Sequence, residues 1–147
     1  MMSSILRLTL IIILFGFLFL VRVFEMDLFY DPLITYFMND YLITGIPEVE
    51  SRYLVLNMLF RYTINSLITL GIVYLLFFRK QYVRFTAFFL SISFVILIVV
   101  FSLLLVTNFK SGYILPFYIR RFIIHPLFLL ILLPALYYHY KTTIDKN

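Results

Sequence analysis

Two sets of residues in this chain are spaced to do chemistry. The first is Asn57, Arg61, Asn65 and Thr69, which recur at intervals of four. A helix puts all four on one face. In an apolar segment, amides and a guanidinium are costly unless they meet partners. Such a face either binds a partner or bonds neighbouring helices, for about 0.6–2 kcal/mol per hydrogen bond. The second set is one of opposite charges. Six of the seven acids (Glu25, Asp27, Asp31, Asp40, Glu48 and Glu50) fall in one stretch. Arg120 and Arg121 stand far from them in sequence. The histidines offer less. His125 precedes Pro126, and His139 is the only other histidine. Along one helix the two would lie about 21 Å apart, too far to share a metal or a haem iron. A histidine bonded to a neighbouring helix is the plainer role for His125.

Most catalytic patterns are missing. There is no cysteine for thiol chemistry. No Ser/His/Asp grouping has a supporting motif. No glycine-rich phosphate cradle and no HExxH spacing occurs. The expectation is a protein that is not an enzyme and carries no metal or cofactor.

Composition determines which elements must hold these residues. Of 147 residues, 64% are hydrophobic, 20% aromatic and 13% charged. A soluble domain is about 45–50% apolar and about 25% charged. The fold class expected is all-α integral membrane, with four transmembrane helices forming a single domain. The spans fall at about 5–24, 53–78, 85–106 and 117–139. The clearest, Phe85 to Val106, is free of charge over 22 residues, or about 33 Å at about 1.5 Å per residue. Runs such as Ile92 to Val100 do not alternate, which excludes outer-membrane strands. The first span resembles a signal peptide, but it ends in Val-Arg-Val-Phe-Glu without a small-residue cleavage pattern. It reads as an uncleaved signal anchor. Between the first two spans, Asp31-Pro32 reads as an N-cap followed by a first-turn proline. Gly45 and Pro47 read as a stop. A short interfacial helix is expected at about 32–42, lying on the membrane surface. Tyr30, Tyr36 and Tyr41 suit that depth.

The positive-inside rule orients the bundle. Arg79, Lys80 and Arg84 form a compact basic loop, and Arg7, Lys141 and Lys146 share its side. Both termini are then cytoplasmic. Arg22, Arg52, Lys110, Arg120 and Arg121 fall on the other side, with the acidic loop. At that depth an ion pair gains more than at a water-exposed surface. One or more of Arg61, Arg120 and Arg121 is expected to pair with a first-loop carboxylate. The alternative is that these arginines bind lipid phosphates. The pI of about 9.5 comes from span-flanking residues, so a nucleic-acid partner has no support. Tyr53, Tyr82, Tyr113, Tyr118, Tyr137, Tyr138 and Tyr140 form the expected aromatic belts.

Several blocks together carry a family resemblance. They are Val21-Arg22-Val23-Phe24-Glu25, Phe29-Tyr30-Asp31-Pro32-Leu33, Arg61-Tyr62 with Asn65-Ser66-Leu67-Ile68, and Tyr118-Ile119-Arg120-Arg121-Phe122-Ile123-Ile124-His125-Pro126-Leu127-Phe128-Leu129-Leu130. The chain resembles the exosortase F system-associated proteins, small multi-span membrane proteins of flavobacteria and their relatives. The resemblance runs from about residue 21 to 140. It implies association with an exosortase, a multi-span enzyme with a catalytic cysteine that cuts C-terminal sorting tails. This chain lacks that cysteine, so the resemblance implies an accessory partner that binds the exosortase or its substrates. The family has no assigned site. The physical reading supplies the candidate contact residues: Arg22, Glu25, Asp31, Asn57, Arg61, Asn65, Arg120, Arg121 and His125. The competing readings are a small oligomeric transporter or channel and, third, a lipid-active enzyme using the arginines.

Overall fold

A computed structural model of the chain describes residues 3–29, 31, 33–40, 50–107, 112, 114–125 and 127–144. The side chains of residues 26, 35, 39 and 40 fall outside that description. The helices are α1 (Ser4–Val23), α2 (Glu25–Leu28), α3 (Leu33–Thr35), α4 (Ser51–Phe77), α5 (Lys80–Val106), α6 (Ile114–Ile124) and α7 (Leu127–Ile144). A π-helical turn, Tyr36–Asp40, extends α3. No strand occurs among the described residues. Four helices (α1, α4, α5 and α7) are long and apolar enough to cross a membrane.

α4 is the hub. It packs against α1, α5, α6 and α7, and it buries Leu54, Met58, Tyr62, Ile72, Val73 and Phe77. The α4–α5 hairpin is tight, with only Phe78 and Arg79 between the helices. Phe78 takes a left-handed conformation (φ 50°), and its N–H donates to the Tyr74 carbonyl to cap α4. Tyr62 ties the pair together by donating to the Leu90 carbonyl at 2.7 Å. By contrast α1 buries only Leu18. It meets α4 closely at Gly71, where an added Cβ would stand 3.3 Å from Leu14. The outer faces of α1 and α5 are apolar, exposing Ile5, Phe19, Phe88 and Val95 among others.

Two elements differ from the sequence expectation. The segment expected as one helix at 117–139 is two, α6 and α7, meeting at His125. A proline at 126 has no N–H to continue a helix. The Leu127 N–H instead donates to the His125 carbonyl at 2.7 Å, two residues back. The interfacial helix expected at 32–42 is a single α turn followed by the π turn. Its apolar side meets protein, because Leu33, Ile34, Tyr36 and Phe37 are buried in the bundle. The cap is as expected: the Leu33 N–H donates to Asp31 Oδ1 at 3.2 Å. Expectations for Tyr30, Pro32, Tyr41, Gly45, Pro47, Glu48, Lys110, Tyr113, Pro126, Lys146 and the Asp40 side chain fall outside the described residues.

The α1–α4 approach predicts opposite effects at two glycines. Gly71→Leu overpacks the contact and costs about 1–3 kcal/mol. Gly16→Leu meets open space and gains up to about 1 kcal/mol of helix propensity. Thermal unfolding of the detergent-solubilised chain checks both signs.

Candidate functional site: a paired arginine cluster beside a cavity

Two buried arginines organise one end of the bundle. Arg61 projects from α4 and is 2% exposed. Its Nη2 donates to Glu25 Oε2, and the other oxygen of Glu25 accepts from Arg22 Nη1. One carboxylate therefore bridges two guanidiniums, and the triad keeps one net positive charge. Local sequence makes this possible. α1 ends at Val23 with Phe24 as its cap, and Glu25 opens α2 three residues past Arg22, within reach of its guanidinium. Phe29 then folds back, its ring 5.2 Å from the Arg61 guanidinium.

The second arginine repeats the arrangement. Arg120 of α6 is 6% exposed. Its Nη2 donates to Asp31 Oδ2, and its guanidinium lies over the Phe37 ring at 5.8 Å. Phe37 packs edge-on against Phe117 of α6 at 5.5 Å. Asp31 thus holds Arg120 with one oxygen and caps α3 with the other. The pairing expected between first-loop carboxylates and Arg61 and Arg120 is present. Arg121 makes no ion pair among the described residues.

Glu25 feels opposing forces. Burial raises its pKa, but the guanidiniums of Arg22 and Arg61 outweigh that and hold it below the ordinary carboxylate value. Its contribution to stability is therefore fully present above the unfolded carboxylate pKa. It is lost as pH falls through the lowered folded value.

The polar stripe of α4 divides. Arg61, Asn65 and Thr69 are buried. Asn65 Nδ2 donates to the Ile124 carbonyl at 3.0 Å. That carbonyl ends α6, where the helix ladder stops, so Asn65 caps the break. Thr69 donates to the Asn65 carbonyl. Asn57 is half-buried and donates to the Tyr53 carbonyl of its own helix at 2.8 Å. Arg61 and Asn65 thus bond to other elements, while the Thr69 bond stays within α4.

A cavity of about 600 Å³ opens beside the pairs. Arg22, Glu25, Arg120, Arg121 and His125 line it together with Phe37, Phe117 and Ile124. Arg61 Nε and Nη1 and Arg120 Nε are buried with no hydrogen-bond partner among the described residues. No family model, curated protein or solved structure matches the chain.

Among the described residues, no group of His, Asp and Glu is placed to hold a metal ion. His139 lies at the opposite end, its Nδ1 3.2 Å from Tyr82 Oη. Phe29, Phe37 and Phe117 were not among the expected site residues. Phe29 lies in one of the resembling blocks but nothing there points to its ring, and nothing marks out Phe37 or Phe117 among 18 phenylalanines. Only the fold brings their rings to the guanidiniums.

Two outcomes test the cluster. A double-mutant cycle with Asp31→Asn and Arg120→Gln should give a coupling of about 0.5–3 kcal/mol in unfolding assays. Acidification from pH 7 to pH 3 should lower the melting temperature less in Glu25→Gln than in the parent chain.

Proposed function

We propose that this is a multi-pass inner-membrane protein that works by binding, as the non-catalytic accessory of an exosortase-type sorting enzyme. Four long apolar helices with apolar outer faces suit a hydrocarbon solvent. Both termini lie in the cytoplasm, and the arginine cluster lies at the opposite membrane face. Its depth fits that boundary. Arg61 to Phe77 spans about 24 Å of α4 at about 1.5 Å per residue, against a hydrocarbon core of about 30 Å.

One observation carries the partner reading. The blocks that resemble exosortase-associated proteins are dispersed in sequence. Their charged residues Arg22, Glu25, Asp31, Arg61 and Arg120 converge at one end. That end is where a partner acting on the non-cytoplasmic face would dock. The carboxylates there are already engaged by arginines, which suits recognition better than proton transfer.

Because the chain has no native cysteine, single cysteines report topology directly. Ser51→Cys should react with a membrane-impermeant maleimide added outside intact spheroplasts, and Gln81→Cys should react only after lysis. The reverse pattern would invert the orientation. For the partner, a tagged chain pulled down in mild detergent should bring the exosortase or its tailed substrate. Recovery of neither, together with normal tail processing in a deletion strain, would sink the accessory role.

A further inference from the structure

Among the described residues, the ion pairs at the arginine end join Arg22, Arg61 and Arg120 to two carboxylates, Glu25 and Asp31, and do not include Arg121. Arg121 is exposed, lines the cavity and has no described ion-pair partner. Arg120 also lines the cavity, and its Nε is buried without a hydrogen-bond partner among the described residues. An unmet buried guanidinium N–H is costly, and an anion with several acceptor oxygens relieves it. The cavity's three arginines approach from α1 and α6, so they surround a ligand from two sides.

Two polar groups share the lining with the arginines: His125, and Glu25, whose two oxygens are already held by Arg22 and Arg61. The other walls, Phe37, Phe117 and Ile124 among them, are apolar, and Phe24, Leu28 and Tyr118 expose apolar side chains on the same elements. A free inorganic ion would gain nothing from these walls. An amphiphile would fill both parts. The volume of about 600 Å³ lies within the range of small-molecule sites, about 300–1,000 Å³.

We propose that this cavity binds the phosphate headgroup of an anionic membrane lipid, with Arg22, Arg120 and Arg121 on the phosphate and Phe37, Phe117 and Ile124 against its glycerol and upper acyl chain. The inference rests on the membrane placement above but not on the sorting partner. A bound lipid at this position makes the end of the bundle a composite surface of protein and lipid.

The test uses the full chain, purified in mild detergent and stripped of lipid. Short-chain phosphatidylglycerol, short-chain phosphatidylcholine and inorganic phosphate are titrated separately. Binding is read by native mass spectrometry for the lipids and by thermal shift for all three. Phosphatidylglycerol should bind and raise the melting temperature, and the other two should do so at least about tenfold more weakly. Arg121→Gln should weaken phosphatidylglycerol binding about tenfold, the scale of one charge-assisted hydrogen bond. Arg84→Gln, an exposed basic change at the other end, should leave binding unchanged. Equal binding of phosphatidylcholine, an equal effect of inorganic phosphate, or an unaltered Arg121→Gln variant would each overturn the proposal. Arg121 is exposed and unpaired among the described residues, so its variant keeps the fold. Arg22→Gln gives a second reading at the same site. Loss of the parent chain from carbonate-washed membranes would instead defeat the membrane placement.

Discussion

A guanidinium inside an apolar bundle must be neutralised, and Arg61 sets that requirement at one end of this chain. Desolvating a cation costs several kcal/mol, which only a close and well-oriented anion offsets. Glu25 is that anion, and it is shared with Arg22. The sharing determines where α1 must end and how α2 must leave it. The Arg120–Asp31 pair extends the same constraint to α6 and to the turn that begins at Leu33. Together the two pairs draw the segment after α1 inward, against α4 and α6. Its Leu33 and Phe37 become core residues as a result. A pair of this kind adds less to net stability than to uniqueness, since a slipped register would strand two buried charges.

The opposite end solves a milder problem. Arg7 donates to the Leu76 carbonyl and lies 5.2 Å from the centre of the Phe78 ring. Arg79 lies 5.9 Å from the centre of the Tyr140 ring, and Tyr82 meets His139. These cations use carbonyls and aromatic faces and form no described carboxylate pair. The asymmetry follows from the sequence, because the acids concentrate beyond α1. Chemistry that depends on fixed charge therefore belongs to the Arg61 end.

Between the ends, α4 carries the load of specificity. Its stripe supplies a cation to one pair and a cap to the broken α6–α7 junction. An interrupted helix in an apolar setting leaves carbonyls without donors. Asn65 meets one of them, which couples the break to the hub helix. α1 packs on α4 at Gly71 and through Leu14 and Leu18. The Arg7 bond to the Leu76 carbonyl ties it at one end and the Arg22–Glu25–Arg61 bridge at the other.

The sequence by itself determined the class of solvent-facing surface, the four long apolar helices and the residues that cannot stand alone. Arg61 and Asn65 announced a need for partners because their side chains are costly in an apolar segment. The Asp31 cap was legible because capping is local. What the sequence left open were the partners themselves. Glu25 and Asp31 were two of six acids, and no local rule chooses among them. The choice depends on which carboxylate the inward-folded turn brings to each guanidinium, over separations of 36 and 89 residues. The break at His125 and the burial of Leu33 and Phe37 are likewise tertiary outcomes. The proline permits the break, but Asn65 on another helix makes it tolerable. The apolar face of α3 is suited to lipid or to protein alike, and the ion pairs decide for protein.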